Sequence, residues 1–131
     1  MSVLADTSVW VEFLRRGAQG SASDLAGLIR QGQVVVCGPV IAELLAAPSS
    51  RNLDLEIVLG DLPYAELDRL AWVEVGRAAR ALIAEGQAVA LTDIEIAVAS
   101  IRGDSQLWTR DADFGRIASV LPAMRLYQPL D

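Results

Sequence analysis

Five acidic residues stand where carboxylates are uncommon. Asp6 closes the apolar run Ser2-Val3-Leu4-Ala5, and Glu43 is the lone charge between Val34 and Ser50. Asp93 opens an apolar-periodic stretch, and Asp111 and Asp113 follow Gln106-Leu107-Trp108-Thr109. Each acid is a weak signal alone. Two carboxylates ~4 Å apart repel by about 4 kcal/mol at an effective dielectric of 20, so a group of four requires a cation. Sites made only of oxygen select magnesium or manganese. The chemistry these residues could carry is therefore that of an oxygen-ligated metal.

Composition removes the competing mechanisms. The 131 residues contain no His, and all 11 basic residues are Arg, so Lys is absent as well. That excludes Ser-His-Asp and Cys-His catalysis, His-ligated zinc, Schiff-base chemistry and a phosphate-loop lysine. The single cysteine, Cys37, excludes a disulfide framework within the chain. A charge arrives by Asp6, too early for a signal peptide, and no apolar run has membrane-span length. The expected location is cytoplasmic. A chain of this length suits one domain, residues 1–131.

Those acids need elements to position them. Ser2–Ala5, Gln33–Cys37, Gln106–Thr109 and Met124–Tyr127 read as strands. Helices are expected over Val9–Leu14, then through Arg30 behind a Ser21/Asp24 capping box, and from Gly38-Pro39 to Ala47 with Pro48 as the stop. Further helices are expected over Leu53–Leu59, Asp68–Glu85 ahead of Gly86, and Asp113–Val120, with a break at Gly60–Pro63. Thr92-Asp93-Ile94-Glu95 reads as a capping box, with Ile94, Ala97, Val98 and Ile101 forming the buried face of a helix ending at Gly103. Short apolar strands alternating with helices indicate a parallel sheet covered on both faces.

Each acid also has a plainer reading. Asp6 and Asp113 suit helix caps, and Asp93 in a first turn favours the helix dipole by ~0.3–1 kcal/mol. Glu95 fits the fourth position of its box, a structural role. Glu43, in the apolar stretch Val40–Ala47, is expected to be buried, which requires an arginine or a metal as partner.

Taken together, four segments resemble the motifs of PIN-domain ribonucleases, the VapC-type toxins of VapBC toxin–antitoxin pairs. They are Leu4-Ala5-Asp6-Thr7-Ser8-Val9-Trp10-Val11, Val40-Ile41-Ala42-Glu43-Leu44-Leu45, Leu91-Thr92-Asp93-Ile94-Glu95-Ile96-Ala97-Val98-Ala99, and Leu107-Trp108-Thr109-Arg110-Asp111-Ala112-Asp113-Phe114. The resemblance implies a PIN-like three-layer α/β fold, with a central, mostly parallel sheet of four to five strands flanked by helices. It implies that Asp6, Glu43, Asp93 and Asp111 are catalytic around Mg²⁺ or Mn²⁺. Asp6, Asp93, Asp111 and Asp113 would be the metal ligands, with Ser8 and Thr109 in support. Glu43 remains open between ligand and general base. The implied activity is RNA cleavage by metal-activated water, leaving a 5′ phosphate. The implied partners are RNA, a VapB-type antitoxin and a second copy of the chain, with no membrane.

A net charge of -6 is unusual for an RNA enzyme, but five of the 17 acids belong to the expected site. The arginines fall in groups, Arg15-Arg16, Arg77 with Arg80, and Arg110 with Arg116, suited either to phosphates or to ion pairs with Glu12, Glu74 and Asp113. Trp10, Phe13 and Leu14 are expected to form an exposed apolar patch for the antitoxin. Receiver domains and haloacid-dehalogenase-type phosphatases need a lysine that is absent. The remaining rival is a catalytically silent PIN-like module that binds RNA or protein.

Overall fold

The computed structural model describes residues 1–47 and 52–129. The chain runs β1 (Val3–Ala5), α1 (Thr7–Arg16), a 3₁₀ turn (Gly17–Gln19), α2 (Asp24–Arg30), β2 (Val34–Cys37) and α3 (Gly38–Ala46). It continues through α4 (Asn52–Gly60), β3 (Tyr64–Ala65), α5 (Arg69–Ala84), α6 (Leu91–Arg102), β4 (Gln106–Trp108) and α7 (Asp113–Ile117). The four strands form one parallel sheet in the order β3-β2-β1-β4. Val3 pairs with Val34 and Gln106, and Ala5 with Trp108, so β1 and β4 end side by side.

Helices pack on both faces, and every residue of β1 is buried. This is why the strands are apolar throughout rather than alternating. α6 is buried continuously from Ile96 to Ser100, well beyond the single face its periodicity suggests. Among the described residues no helix is long and apolar enough to cross a membrane.

Local chemistry explains most boundaries. α5 starts where Asp68 accepts the Ala71 N–H at 2.9 Å. It stops at Gly86, whose φ of 74° admits the left-handed turn. There the Gly86 and Gln87 amides return to the Ile83 and Leu82 carbonyls at 2.9 and 2.8 Å, closing a Schellman motif. α3 begins with Gly38-Pro39 as expected, and Asn52 Nδ2 donates to its end at the Ala47 carbonyl, 3.0 Å. The expected stop at Pro48 lies outside the described residues.

Four expectations change. The strand over Met124–Tyr127 reduces to one bridge, Leu107 to Leu126, so the sheet has four strands. β3, only two residues long, follows directly on the break at Gly60–Pro63. Neither helix starts where its capping box would begin it. α2 starts after Ser23 with no side-chain cap, and α6 starts at Leu91, two residues early, with Ala90 where the box would place Thr92.

An Asp68→Ala variant removes a cap far from the acids. We expect a loss of about 1 kcal/mol in urea unfolding, with any catalytic activity retained.

Candidate functional site: carboxylates at the ends of β1 and β4

Asp6 is the first residue beyond β1, and its amide still bonds the Trp108 carbonyl at 2.9 Å. Its side chain is 3% exposed. Oδ1 accepts from Ser8 Oγ at 2.6 Å and from the Val9 N–H at 3.1 Å, the latter capping α1. Oδ2 accepts from Thr109 Oγ1 at 2.5 Å. Burial pushes the carboxyl pKa up, these three donors pull against it, and the charge of Asp111 adds to the rise; the balance is upward. Asp6 is thus a helix cap that also lies within reach of the Asp111 charge.

Ser8 and Thr109 each work twice. Ser8 Oγ accepts the Arg110 N–H at 3.1 Å, and Thr109 Oγ1 accepts the Asp111 N–H at 2.9 Å. Both hydroxyls therefore tie the Asp6 carboxylate to the loop leaving β4. That loop turns into α7 where Asp111 Oδ1 accepts the Asp113 N–H at 2.9 Å. Asp111 makes this bond from just outside the helix, whose N-cap is Ala112, while Asp113 is already the first residue of the helix.

The start of α6 brings the third segment in. Asp93, half-buried in its first turn, contributes a carboxylate oxygen that lies with one each from Asp111 and Asp113, all within 4.8 Å of one another. Burial comes first in raising the Asp93 pKa to about 6, followed by the charges of Asp111, Glu43, Asp6 and Asp113. Four acids from three other segments are thus felt at one carboxyl.

Glu43 departs from expectation. It is exposed, because α3 buries only Val40 and Leu44, and its partner is neither arginine nor core. Thr7 Oγ1 donates to its Oε1 at 2.6 Å, holding it at the rim of the cluster. Glu95 has no box to complete. Burial and the Glu43 charge raise its pKa, so it lies on the Glu43 side of the site.

Sequence reading missed the role of Thr7 and the contact of Arg110 with Ser21. The Arg110 guanidinium meets Glu12 at 3.0 Å and Ser21 Oγ at 2.6 Å. A Cβ at Gly20 would lie 2.8 Å from Arg16 Cβ and 2.9 Å from Glu12 Oε1, so glycine permits this close packing. Residues this far apart in sequence leave no periodic signal of their contact. Arg116 pairs with Asp113 at 3.6 Å and Arg102 with Glu74 at 3.0 Å.

Trp10 also departs. It is buried core at 1% exposure rather than surface. The apolar surface is instead a hollow of about 500 Å³ between α1, α3 and α4, with Leu14, Phe13, Leu55 and Val58 on its walls and Glu43 at its edge.

The fold is a parallel α/β sheet with a cluster of carboxylates gathered beyond the ends of two neighbouring strands, β1 and β4. The chain belongs to the PIN domain family, whose pattern spans residues 3–120. It is 31% identical over 127 residues to VapC ribonuclease Mb1587 of Mycobacterium bovis and to Ribonuclease VapC11 of Mycobacterium tuberculosis, covering 90% of this chain and 92% of each relative. In fold it resembles solved chains of VapBC2 from Rickettsia felis (TM-score 0.76, 21% identity, 97% and 98% coverage) and of VapBC from Salmonella typhimurium (0.77, 19%, 97% and 97%).

The donor set fits a hard divalent cation, since three carboxylate oxygens from Asp93, Asp111 and Asp113 converge and no nitrogen or sulfur is among them. The raised pKa of Asp93 gives a signed prediction. With the folded value near 6 and the reference at 3.8, the folded state holds more protons between these limits. Stability from this group is present below pH ~4 and lost as pH rises through ~6. In EDTA, the fall in Tm from pH 4.5 to 7 should be smaller in Asp93→Asn than in the parent. Above pH 6, Mg²⁺ or Mn²⁺ at a hundredfold excess over Kd should restore ~2.7 kcal/mol in the parent and much less in the variant. Calorimetric melting curves measure both.

Proposed function

We propose that this protein is a divalent-metal-dependent endoribonuclease, the toxin of a type II toxin–antitoxin pair. The observation that carries the reading is the convergence of Asp93, Asp111 and Asp113 beside a buried Asp6 whose every oxygen is already oriented. The relatives named VapC ribonuclease support the substrate class. Asp6, Asp93, Asp111 and Asp113 would hold Mg²⁺ or Mn²⁺. Such an ion lowers the pKa of water and neutralises charge developing on phosphoryl oxygens.

The chain's own residues do the rest. Ser8 and Thr109 fix the Asp6 carboxylate and, through the Arg110 and Asp111 amides, the approach of the β4–α7 loop. Thr7 steadies Glu43, which acts as ligand or as the general base that takes a proton from the attacking water. Attack of water at phosphorus with departure of the ribose O3′ leaves a 5′-phosphate and a 3′-hydroxyl. The 2′-hydroxyl takes no part.

Asp6→Asn and Asp111→Asn keep the size of the side chain and part of its capping ability. Each is expected to abolish RNA cleavage with the fold intact, read by mapping 5′-phosphate ends and by circular dichroism. Folded variants with undiminished cleavage would overturn the assignment.

The structural neighbours include complexes named VapBC and FitAB, and we propose an antitoxin of the VapB type together with a second copy of the chain as partners. The hollow between α1, α3 and α4 suits an amphipathic antitoxin segment. α4 is apolar on faces that the core does not cover, Leu53 at 71% and Ile57 at 60% exposure. Because Trp10 is core, the informative variant is Leu14→Ala. It should weaken the antitoxin complex by more than about 1 kcal/mol in calorimetric titration, with RNA cleavage by the free toxin unchanged.

A further inference from the structure

A second cavity, about 210 Å³, borders the acidic site without belonging to it. Its near wall is Thr109 and Arg110, the residues tied to Asp6 and Ser8. Its far wall is the C-terminal segment, where Tyr127 packs on Trp108 with ring centroids 5.0 Å apart and planes at 51°. Ser21 closes the side and holds Arg110 in place. Beyond Tyr127 a further depression, about 390 Å³, runs along α2 past Gly27 to Arg30, and Tyr127 is the residue common to both.

The sequence of features is chemical as well as spatial. Leaving the carboxylates, a chain laid along this path meets an arginine, an aromatic ring, the acid Asp24 at the start of α2 and another arginine. Single-stranded RNA is read by bases turned out of the stack onto aromatic faces, with arginines following the phosphates. Arg110 is suited to a fixed point on such a path, since Glu12 and Ser21 already restrict its guanidinium. Tyr127 is equally fixed, its amide donating to the Leu107 carbonyl at 2.8 Å.

We propose that the cleft between Arg110, Ser21 and Tyr127 seats the nucleobase next to the scissile phosphate, and that the strand continues over Tyr127 toward Arg30. The inference rests on the ribonuclease reading above and names the subsite through which that activity chooses its RNA. Tyr127 supplies the stacking face, the Ser21 and Gln128 polar atoms line the base edge, and Arg30 meets a phosphate further along.

The test uses the full chain with fluorescein-labelled RNA tetramers and decamers of mixed sequence, bound in Ca²⁺ by anisotropy and cleaved in Mn²⁺. Tyr127→Ala should raise KM about tenfold and flatten the nucleotide preference beside the cut, with kcat much less affected. Tyr127→Phe, which restores the ring, should recover most of the affinity and the preference. Arg30→Ala, on the surface of α2, should weaken decamers and leave tetramers unchanged. A folded Tyr127→Ala protein with parental KM and cleavage pattern would overturn the subsite while leaving the nuclease reading standing. Tyr127-dependent binding without cleavage by the parent protein would do the reverse. Should Tyr127→Ala fail to fold, equal weakening of decamers and tetramers by Arg30→Ala would itself refute the track.

Discussion

The organisation of this protein depends on keeping one carboxylate, Asp6, buried at the carboxyl end of an interior strand of the sheet. An uncompensated buried carboxylate is costly enough to be avoided in most folds. Here its compensation comes from three donors on two segments: Ser8 and Val9 from the start of α1, and Thr109 from the end of β4. Satisfying Asp6 therefore fixes how β1 opens into α1 and how β4 opens into its loop. The same hydroxyls then accept the Arg110 and Asp111 amides, which carries the constraint on to Asp111 and, through its side chain, to Asp113. The second acidic group is placed by the hydrogen bonds that make the first tolerable.

This arrangement stabilises geometry at the expense of electrostatics. The Asp93 carboxyl sits near pKa 6 because it is partly buried and faces Asp111, Glu43, Asp6 and Asp113. A cation at this point would exchange mutual repulsion for attraction, so the proposed ion would stabilise the fold locally as well as supply the chemistry. Parallel strands place this cluster at their carboxyl ends, where α/β sheets hold their ligands. α6, buried on nearly all sides, gives Asp93 a rigid base.

Much of this was legible because local rules and tertiary structure agree. Asp68 at the start of α5, Gly86 at its end and Gly38-Pro39 at the start of α3 each signal a boundary by backbone chemistry alone. The family motifs carried Asp6, Asp93, Asp111 and Asp113 to one place. The misreadings have physical causes too. Thr92 to Glu95 has the residue types of a capping box, but α6 starts two residues earlier, so the pattern is out of phase with the helix. β3 is too short to show alternation. Trp10 and Glu43 were assigned the wrong environments because hydrophobic pattern reports how apolar a helix is, not which side the core lies on. α3 and α4 are apolar beyond what the core covers, leaving Glu43 exposed at the edge of a hollow and Leu53 and Ile57 exposed on α4. In such helices, exposure depends on what packs against them from outside the chain.

The central claim is that these acids form one divalent-ion site, and titration of Mn²⁺ followed by its electron paramagnetic resonance signal addresses it most directly. At pH 7.5 the account predicts that the free-ion signal stays suppressed in the parent protein until the site saturates. In Asp111→Asn the signal should grow from the first addition, as it does in buffer. Unsuppressed growth in the folded parent protein would contradict the account.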